Sequence, residues 1–162
     1  MPHLAYLSLG SNIGDREQNL RVAIERLQKI GHVHAVSSYY ETEPVDVTDQ
    51  AWFVNCAVAL ETPATPAELM TQLLEIEHAM GRKRVHKKGP RTIDIDILLF
   101  GDVVLDTPEV TIPHPAMHQR RFVLVPVAEI APGLMHPVLK KTIESLRREL
   151  PEGQIVKKFK EN

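Results

Sequence analysis

The sequence predicts an α+β fold in which helices pack against an antiparallel β-sheet. Two segments place apolar residues at helical spacing, and four others carry the short apolar or alternating runs that are typical of strands. These segments follow one another in the order β-α-β-β-α-β, with a hairpin and further helices behind them. The chain has 162 residues, 43% of them hydrophobic and 25% charged, which favours one domain over residues 1–162.

The predicted elements depend on local start and stop signals as well as on periodicity. The second helix starts at Thr65-Pro66-Ala67-Glu68, where Thr65 can cap the helix and Glu68 can complete a capping box. Gly81 ends this helix. In chain order, the predicted elements are a strand at 4–9, a helix at Gln18–Ile30, strands at Val33–Tyr40 and Trp52–Glu61, a helix at 65–80, a strand at Thr92–Phe100 with a hairpin return at Val103–Leu105, and helices near His118–Glu129 and Lys141–Leu150.

This order is the split βαβ, or ferredoxin-like, arrangement. Residues 151–162 are polar, and we expect them to form a frayed tail. Side-chain alternation along Trp52–Glu61 predicts that Phe53 and Asn55 share one face, with Cys56 on the other. The strand that follows the second helix is predicted to have one fully apolar face, formed by Ile93, Ile95, Ile97 and Leu99.

Composition excludes several classes of protein and of site. Cys56 is the single cysteine, so an intramolecular disulfide and a zinc site built on several thiolates are excluded. The net charge of −2 argues against general nucleic-acid binding. Apolar runs such as Ile97–Phe100 are too short to span a bilayer, and the N-terminus lacks the features of a signal peptide. We therefore expect a cytoplasmic protein without nucleic-acid or membrane partners.

The basic residues are concentrated in one short segment. Residues 82–91 contain six of the 19 lysines and arginines and none of the 21 acidic residues. A basic segment in an otherwise acidic chain favours a local anionic ligand over a long polyanion. Gly81 and Gly89 lie at its ends, which suits a lid over such a ligand. The plainer alternative is a solvated surface loop.

Asp94-Ile95-Asp96 is the strongest candidate for chemistry. On a strand, residues i and i+2 share a face, so both carboxylates project together about 7 Å apart. Two ionised carboxylates this close repel each other, so positive charge is expected between them. Salt bridges to arginines would supply that charge, and so would Mg²⁺ bound by the carboxylates and by substrate phosphates. Two such ions would form a phosphoryl-transfer site, and Arg91 lies three residues upstream of Asp94.

The Gly-Pro-Arg-x-x-Asp-x-Asp pattern of residues 89–96 is highly specific. Further blocks precede and follow it, namely Leu9-Gly10-Ser11-Asn12, Ser37-Ser38-Tyr39-Tyr40-Glu41-Thr42 with Pro44, Phe53-Val54-Asn55, Ile76-Glu77 with Gly81-Arg82, Pro113-His114-Pro115, and Arg120 with Phe122-Val123-Leu124. With these blocks in this order, the chain from about Ala5 to Leu150 resembles the 6-hydroxymethyl-7,8-dihydropterin pyrophosphokinases of folate biosynthesis. Their systematic name is 2-amino-4-hydroxy-6-hydroxymethyldihydropteridine diphosphokinase.

The resemblance implies a ferredoxin-like fold and the transfer of pyrophosphate from ATP to the hydroxymethyl group of the dihydropterin, with release of AMP. It also implies two Mg²⁺ ions held by Asp94 and Asp96, with Arg82 and Arg91 stabilising the transferring group. The nucleotide-binding residues implied by this likeness are Glu77, Arg82, Arg84, Arg91, His114 and Arg120, and the pterin pocket is implied to consist of Thr42, Val45, Phe53, Asn55 and Phe122.

Two other functions compete with this one. A nucleotidyltransferase would also pair a Gly-Ser with an Asp-x-Asp, but usually close together, whereas Ser11 and Asp94 are far apart in this chain. A non-catalytic RNA-binding module would need exposed aromatic residues and a basic domain, yet only 5% of the residues are aromatic. We expect a monomer whose partners are the small molecules ATP and 6-hydroxymethyl-7,8-dihydropterin.

Overall fold

The computed structural model describes residues 2–44, 51–81 and 92–159. Its strands are β1 (His3–Ser11), β2 (His32–Val36), β3 (Tyr40–Thr42), β4 (Phe53–Thr62), β5 (Asp94–Phe100), β6 (Leu105–Asp106), β7 (Thr111–Ile112) and β8 (Val156–Lys158). Its helices are α1 (Arg16–Leu27), α2 (Pro66–Ala79), α3 (Arg121–Ile130) and α4 (Ile143–Glu149), with a short 3₁₀ helix at Met117–Gln119.

One antiparallel sheet organises the described residues. Its strand order is β5-β1-β4-β3-β8, and β2 pairs with β4 beside β3. The predicted antiparallel sheet with helices packed against it is therefore confirmed. Among the described helices, none is long and apolar enough to cross a bilayer.

The helices cover the sheet from two sides. Alternate residues of β1 and β4, including Leu7, Leu9, Val54 and Cys56, form one buried cluster with apolar residues of α1 and α2. A second cluster lies against the opposite face, where Ala57 and Leu98 meet residues of α3 and α4. Because cluster membership alternates along β4, the predicted orientation of Cys56 away from Asn55 is confirmed.

Local capping signals place α2 as predicted. The Thr65 side chain accepts a hydrogen bond from the backbone N–H of Glu68, and the Glu68 carboxylate accepts one from the backbone N–H of Thr65. Gly81 follows the helix with a φ of +86°, a conformation that favours glycine. Both ends of this helix are thus determined by residues within one turn of it.

The predicted strand Val33–Tyr40 is interrupted in the structure. Its two parts, β2 and β3, both pair with β4. Between them, the side chain of Ser37 takes the place of a backbone acceptor in the ladder. The hydroxyl of Ser37 accepts a hydrogen bond from the Ala57 N–H at 2.9 Å. A serine side chain that bonds to the backbone competes with the regular ladder, and this explains the break.

The predicted hairpin return at Val103–Leu105 is wrong. Leu105 and Asp106 pair with β7, not with β5, and form a separate two-stranded sheet. Thr107 holds the connecting turn, because its hydroxyl donates to the Val110 carbonyl and accepts from the Val110 N–H. These local bonds favour pairing with the following segment over pairing with the preceding strand.

The predicted apolar face of β5 is wrong at Leu99. Tyr6 faces Leu99 and Leu7 faces Ile97, so Leu98 is an extra residue in the ladder. Such a bulge reverses the alternation beyond it, and Leu99 therefore packs with α3 and α4 instead of α1 and α2.

The described part of the tail is not frayed. Residues 156–158 form β8, which pairs with β3, and Phe159 packs against the first buried cluster. The Phe159 N–H also donates to the Tyr39 carbonyl at 2.8 Å. Backbone pairing supplies the order that the polar composition of this segment did not predict.

Candidate active site

The two aspartates of β5 lie on the sheet face opposite α1 and α2. Asp94 is paired with Gly10 of β1 and Asp96 with Ser8, while the intervening Ile95 belongs to the first buried cluster. Cross-strand partners share a face, so both carboxylates project from the same side of β5 as predicted. Across β1, Gly10 is in turn paired with Asn55 of β4.

Gly10 leaves the space that the Asn55 side chain fills. A Cβ atom on Gly10 would lie 2.5 Å from Nδ2 of Asn55 and 3.5 Å from Cδ2 of Phe53. The first distance is shorter than any normal contact, so a side chain at position 10 would displace the amide. The missing side chain therefore lets Asn55 extend across β1 towards the strand that carries Asp94.

Asn55 is buried and held in one orientation. Its Oδ1 accepts a hydrogen bond from the Thr42 hydroxyl at 2.6 Å, and its Nδ2 donates to the Leu9 carbonyl at 3.3 Å. Only 4% of its surface is exposed. Thr42 is also the cross-strand partner of Phe53. Three of the five residues predicted for the pterin pocket therefore form one contiguous group.

Glu77 binds β5 from the side of the sheet that α1 and α2 cover. The residue is 3% exposed on α2, and its Oε2 accepts a hydrogen bond from the Ile95 N–H at 2.7 Å. Ile95 separates the two aspartates along the chain, so this bond fixes the backbone of the Asp-x-Asp segment to α2. Buried carboxylates need such partners, because an unpaired charge in the interior is costly.

His114 lies close to Asp94 and Arg120. Burial and the Arg120 cation lower the pKa of His114 below its ordinary value, although the Asp94 carboxylate acts in the opposite direction. Its Nδ1 accepts a hydrogen bond from the Ala116 N–H at 3.2 Å. A neutral imidazole that accepts at Nδ1 carries its proton at Nε2, so His114 is a hydrogen-bond donor near neutral pH.

Arg120 and Phe122 lie at the start of α3. The Arg120 guanidinium is 5.6 Å from the centre of the Phe122 ring, within the range of a cation–π contact. The Phe122 N–H donates to Oε1 of Gln154 at 3.3 Å. Through Gln154 and Glu43, the start of α3 is joined to the end of β3, which carries Thr42.

These contacts bring eight of the predicted site residues into one region: Thr42, Phe53, Asn55, Asp94, Asp96, His114, Arg120 and Phe122. Glu77 of α2 is hydrogen-bonded to β5, the strand that carries Asp94 and Asp96. The remaining predicted residues, Val45, Arg82, Arg84 and Arg91, lie outside the described residues.

Sequence reasoning missed the roles of Gly10 and Gln154 in this region. Gly10 belongs to a block that marked the resemblance, and a glycine next to a predicted strand was the signal available for a close approach. Gln154 lies in the segment expected to be frayed, and it carries no motif.

The donor set of β5 suits a hard cation. Two carboxylates share one face, and the described residues contain no group of three or more histidine, cysteine, aspartate or glutamate side chains arranged to hold a metal. Mg²⁺ is commonly bound by one or two carboxylates, with phosphate oxygens and water completing its shell. Asp94 and Asp96 therefore fit Mg²⁺ that arrives with a phosphate-bearing ligand.

The site offers no cysteine nucleophile among its described residues. Cys56 is 1% exposed on the opposite face, and burial raises the pKa of its thiol to about 12. A thiol with this pKa is almost fully protonated at neutral pH. The arrangement therefore favours direct transfer between bound ligands over a covalent intermediate on this cysteine.

Comparison with known proteins identifies relatives over most of the chain. The family model described as 7,8-dihydro-6-hydroxymethylpterin-pyrophosphokinase matches residues 6–132. The 2-amino-4-hydroxy-6-hydroxymethyldihydropteridine pyrophosphokinase of Bacillus subtilis is 48% identical over 136 residues, which cover 80% of this chain and 79% of that protein. The protein of the same name from Haemophilus influenzae is 36% identical over 94% of this chain and 96% of its own length.

Other relatives are much longer than this chain. The Folic acid synthesis protein FOL1 of Dictyostelium discoideum is 38% identical over 93% of this chain, but the chain spans only 23% of that protein. Among solved structures, an HPPK-DHPS in complex with substrates matches 91% of this chain and 43% of its own, with a TM-score of 0.70 at 16% identity. Wild-type Plasmodium falciparum HPPK-DHPS with STZ-DHP gives a TM-score of 0.72 at 18% identity, over 92% of this chain and 41% of its own.

The structural matches show a shared fold, and the sequence matches go further. The family model covers more than half of the chain, and the two bacterial relatives match it over 79% and 96% of their own length. The chain belongs to the 7,8-dihydro-6-hydroxymethylpterin-pyrophosphokinase family.

Proposed function

We propose that the protein transfers pyrophosphate from ATP to the hydroxymethyl group of 6-hydroxymethyl-7,8-dihydropterin and releases AMP, as a step of folate biosynthesis. One observation carries the proposal beyond family membership. The Asp94–Asp96 pair and the buried Asn55–Thr42 pair lie on the same sheet face, separated by a single strand at Gly10. This adjacency supports a phosphate-binding centre beside a recognition group for a polar ring edge.

The pterin pocket consists of Thr42, Val45, Phe53, Asn55 and Phe122 in this proposal. The pyrimidinone edge of a pterin carries donors and acceptors, and a carboxamide can pair with both kinds. Asn55 suits this role because Thr42 and Leu9 fix its orientation before any ligand binds. Flat rings stack favourably on aromatic side chains, which suits Phe53 and Phe122 to the faces of the pterin.

The nucleotide side consists of Glu77, Arg82, Arg84, Arg91, His114 and Arg120. His114 donates from Nε2 to a phosphate oxygen, because its Nδ1 is already occupied by the Ala116 N–H. Arg120 supplies positive charge beside it, and a guanidinium matches phosphate oxygens in a bidentate way. Arg82 and Arg91 stabilise the transferring group in this proposal, and Glu77 acts from behind by holding the Ile95 backbone.

Asp94 and Asp96 would hold two Mg²⁺ ions in this mechanism. When bound there, the ions would neutralise phosphate charge and favour the deprotonated form of the attacking hydroxyl group. The fixed strand geometry keeps the two carboxylates apart and directed to one side, so they are preorganised for this charge.

The same proposal covers the architecture and the state of the protein. The strand order β5-β1-β4, with β2 and β3 each paired to β4, supports a ferredoxin-like arrangement in which α1 and α2 would be the crossover helices. Because β8 joins the same sheet, we propose one domain over residues 1–162. We further propose a cytoplasmic monomer that acts on small molecules, which sedimentation of the purified protein would test.

A direct assay tests the reaction. The purified protein, ATP, Mg²⁺ and 6-hydroxymethyl-7,8-dihydropterin should yield AMP and the pterin diphosphate in equal amounts. Omission of the pterin or of Mg²⁺ should abolish AMP formation, and the Asp96→Asn protein should form almost none. ADP as the nucleotide product would contradict the proposal, because attack at the β-phosphorus must release AMP.

A further inference from the structure

We propose that Gln154 is a positioning residue for the pterin pocket, because its carboxamide joins the two elements that carry Thr42 and Phe122. The inference rests on the proposed function. Gln154 Nε2 donates to the Glu43 carbonyl at 2.6 Å, directly beyond the end of β3. Its Oε1 accepts from the Phe122 N–H at 3.3 Å, in the first turn of α3. The Gln154 side chain therefore spans the gap between the end of β3 and the start of α3.

The Phe122 N–H needs such a partner. It is one of the first N–H groups of α3, which have no acceptor inside the helix. Arg120 occupies the N-cap position, and its side chain makes no capping hydrogen bond within the described part of the chain. Gln154 thus supplies from a distant segment the acceptor that an N-cap serine, threonine, aspartate or asparagine commonly supplies.

The backbone around Gln154 is itself held in place. The Glu43 N–H donates to the Ile155 carbonyl at 3.1 Å, and the Ile155 N–H donates to Oε1 of Glu43 at 2.8 Å. Beyond Ile155, β8 continues the pairing with β3, and Phe159 is partly buried against the first cluster. The Gln154 side chain therefore extends from a fixed backbone. It can hold the start of α3 at a fixed distance from the end of β3.

The far end of α3 is anchored separately. Glu129 accepts hydrogen bonds from the Tyr40 hydroxyl at 2.6 Å and from the Ser38 hydroxyl and N–H, each at 2.9 Å. The Arg121 guanidinium also donates to the Pro151 carbonyl at 2.9 Å, so loss of the Gln154 contacts would loosen the start of α3 while leaving the helix docked. The expected result is a movement of Phe122 relative to Thr42, without unfolding.

Two substitutions separate the two contacts of Gln154. Gln154→Ala removes both, whereas Gln154→Glu keeps an oxygen for the Phe122 N–H and loses the donor to the Glu43 carbonyl. Glu152→Ala is the matched control, since Glu152 is an exposed residue of the same segment. Calorimetry with the pterin and, separately, with a non-hydrolysable ATP analogue would give both affinities for each protein.

Gln154→Ala should weaken pterin binding by about five- to twentyfold, the equivalent of one or two ordinary hydrogen bonds. ATP-analogue binding should change by less than about twofold, as in the Glu152→Ala control. Hydrogen exchange at the Phe122 amide should be faster in Gln154→Ala and close to the parental rate in Gln154→Glu. The pterin KM should rise more than kcat falls.

Parental pterin affinity in Gln154→Ala would overturn the inference, as would equal losses for pterin and nucleotide, which indicate general destabilisation. If Gln154→Ala fails to fold, Gln154→Glu provides the same comparison, and its parental pterin affinity would overturn the role of the Glu43 contact. Failure of the proposed function is distinguishable, because in that case the parental protein itself would not bind the pterin.

Discussion

Replacement of Gly10 by alanine tests whether the missing side chain at this position exists to accommodate Asn55. The added Cβ would lie 2.5 Å from Nδ2 of Asn55, where a normal contact is well over 3 Å. Its other near neighbour, Cδ2 of Phe53 at 3.5 Å, is at an ordinary contact distance. Relief of the clash therefore requires the Asn55 side chain to rotate away from β1.

The cost of that rotation follows from the contacts of Asn55. The side chain would lose its bonds to the Thr42 hydroxyl and the Leu9 carbonyl, each worth about 1 kcal/mol net. Because the group is buried, an unsatisfied polar atom adds a further ~1–2 kcal/mol. We therefore expect a loss of roughly 3–4 kcal/mol in the free energy of unfolding, which lowers Tm by about 6–16 °C for a chain of this size.

Thermal melting and pterin calorimetry measure the two consequences. Gly10→Ala should melt lower and bind the pterin poorly, whereas the matched Gly133→Ala protein should behave as the parent, because a Cβ there meets no described atom within 4 Å. In an Asn55→Ala background, the alanine at position 10 should cost little, since the atom that it meets is gone. Additive costs of the two substitutions in melting experiments would refute this reasoning.

Two further predictions concern the same site, and a third concerns His136, which is not one of the site residues. Asp94→Asn and Asp96→Asn should each lower AMP formation by several powers of ten, about 4 kcal/mol or more, while melting within a few degrees of the parent without Mg²⁺; near-parental turnover in either variant would reject their role in the reaction. Asn55→Ala should weaken pterin binding by roughly 1–3 kcal/mol and leave ATP affinity almost unchanged, as calorimetry can show; the reverse pattern would reject the pocket assignment. Burial and the neighbouring His118 lower the pKa of His136 below the ordinary 6.5, so the unfolded chain takes up the proton first and stability falls as pH drops below 6.5. His136→Asn removes this proton uptake, so the Tm of the parent should fall relative to that of the variant between pH 7.5 and 5, and a constant difference would contradict the assignment.

The helices and the central strands were predictable because their signals are local. The Thr65–Glu68 capping box and Gly81 determine the ends of α2 within one turn of each end. Asp15 caps α1 by accepting a hydrogen bond from the Gln18 N–H, and the helix therefore begins at Arg16, two residues before the start predicted from apolar spacing. The orientation of Asp94 and Asp96 follows from the period of two along a strand, which needs no knowledge of the neighbouring strands.

The errors occur where pairing with a distant segment decides the geometry. A count of alternate residues along β5 assumes a regular ladder, and the extra residue Leu98 breaks it opposite the Tyr6–Leu7 step of β1. The interruption between β2 and β3 depends similarly on the hydrogen bond that the Ala57 N–H, twenty positions along the chain, donates to the Ser37 hydroxyl. Neither contact has a signature within the segment that it changes.

The candidate site shows the same limit, because residues that lie close in space but far apart in sequence position its side chains. Asp94 carries a motif, but the residue that positions Asn55 beside it is a glycine, whose relevant property is an atom that it lacks. Gln154 acts on Phe122 and Glu43 through backbone groups, and composition says nothing of which backbone groups a side chain will meet. A polar segment is expected to fray when only its side chains are considered, yet each unpaired N–H at the start of α3 and at the end of β3 favours its docking. The hydrogen-bonding needs of the elements that flank a pocket are therefore a better guide to the order of such a tail than its own hydropathy.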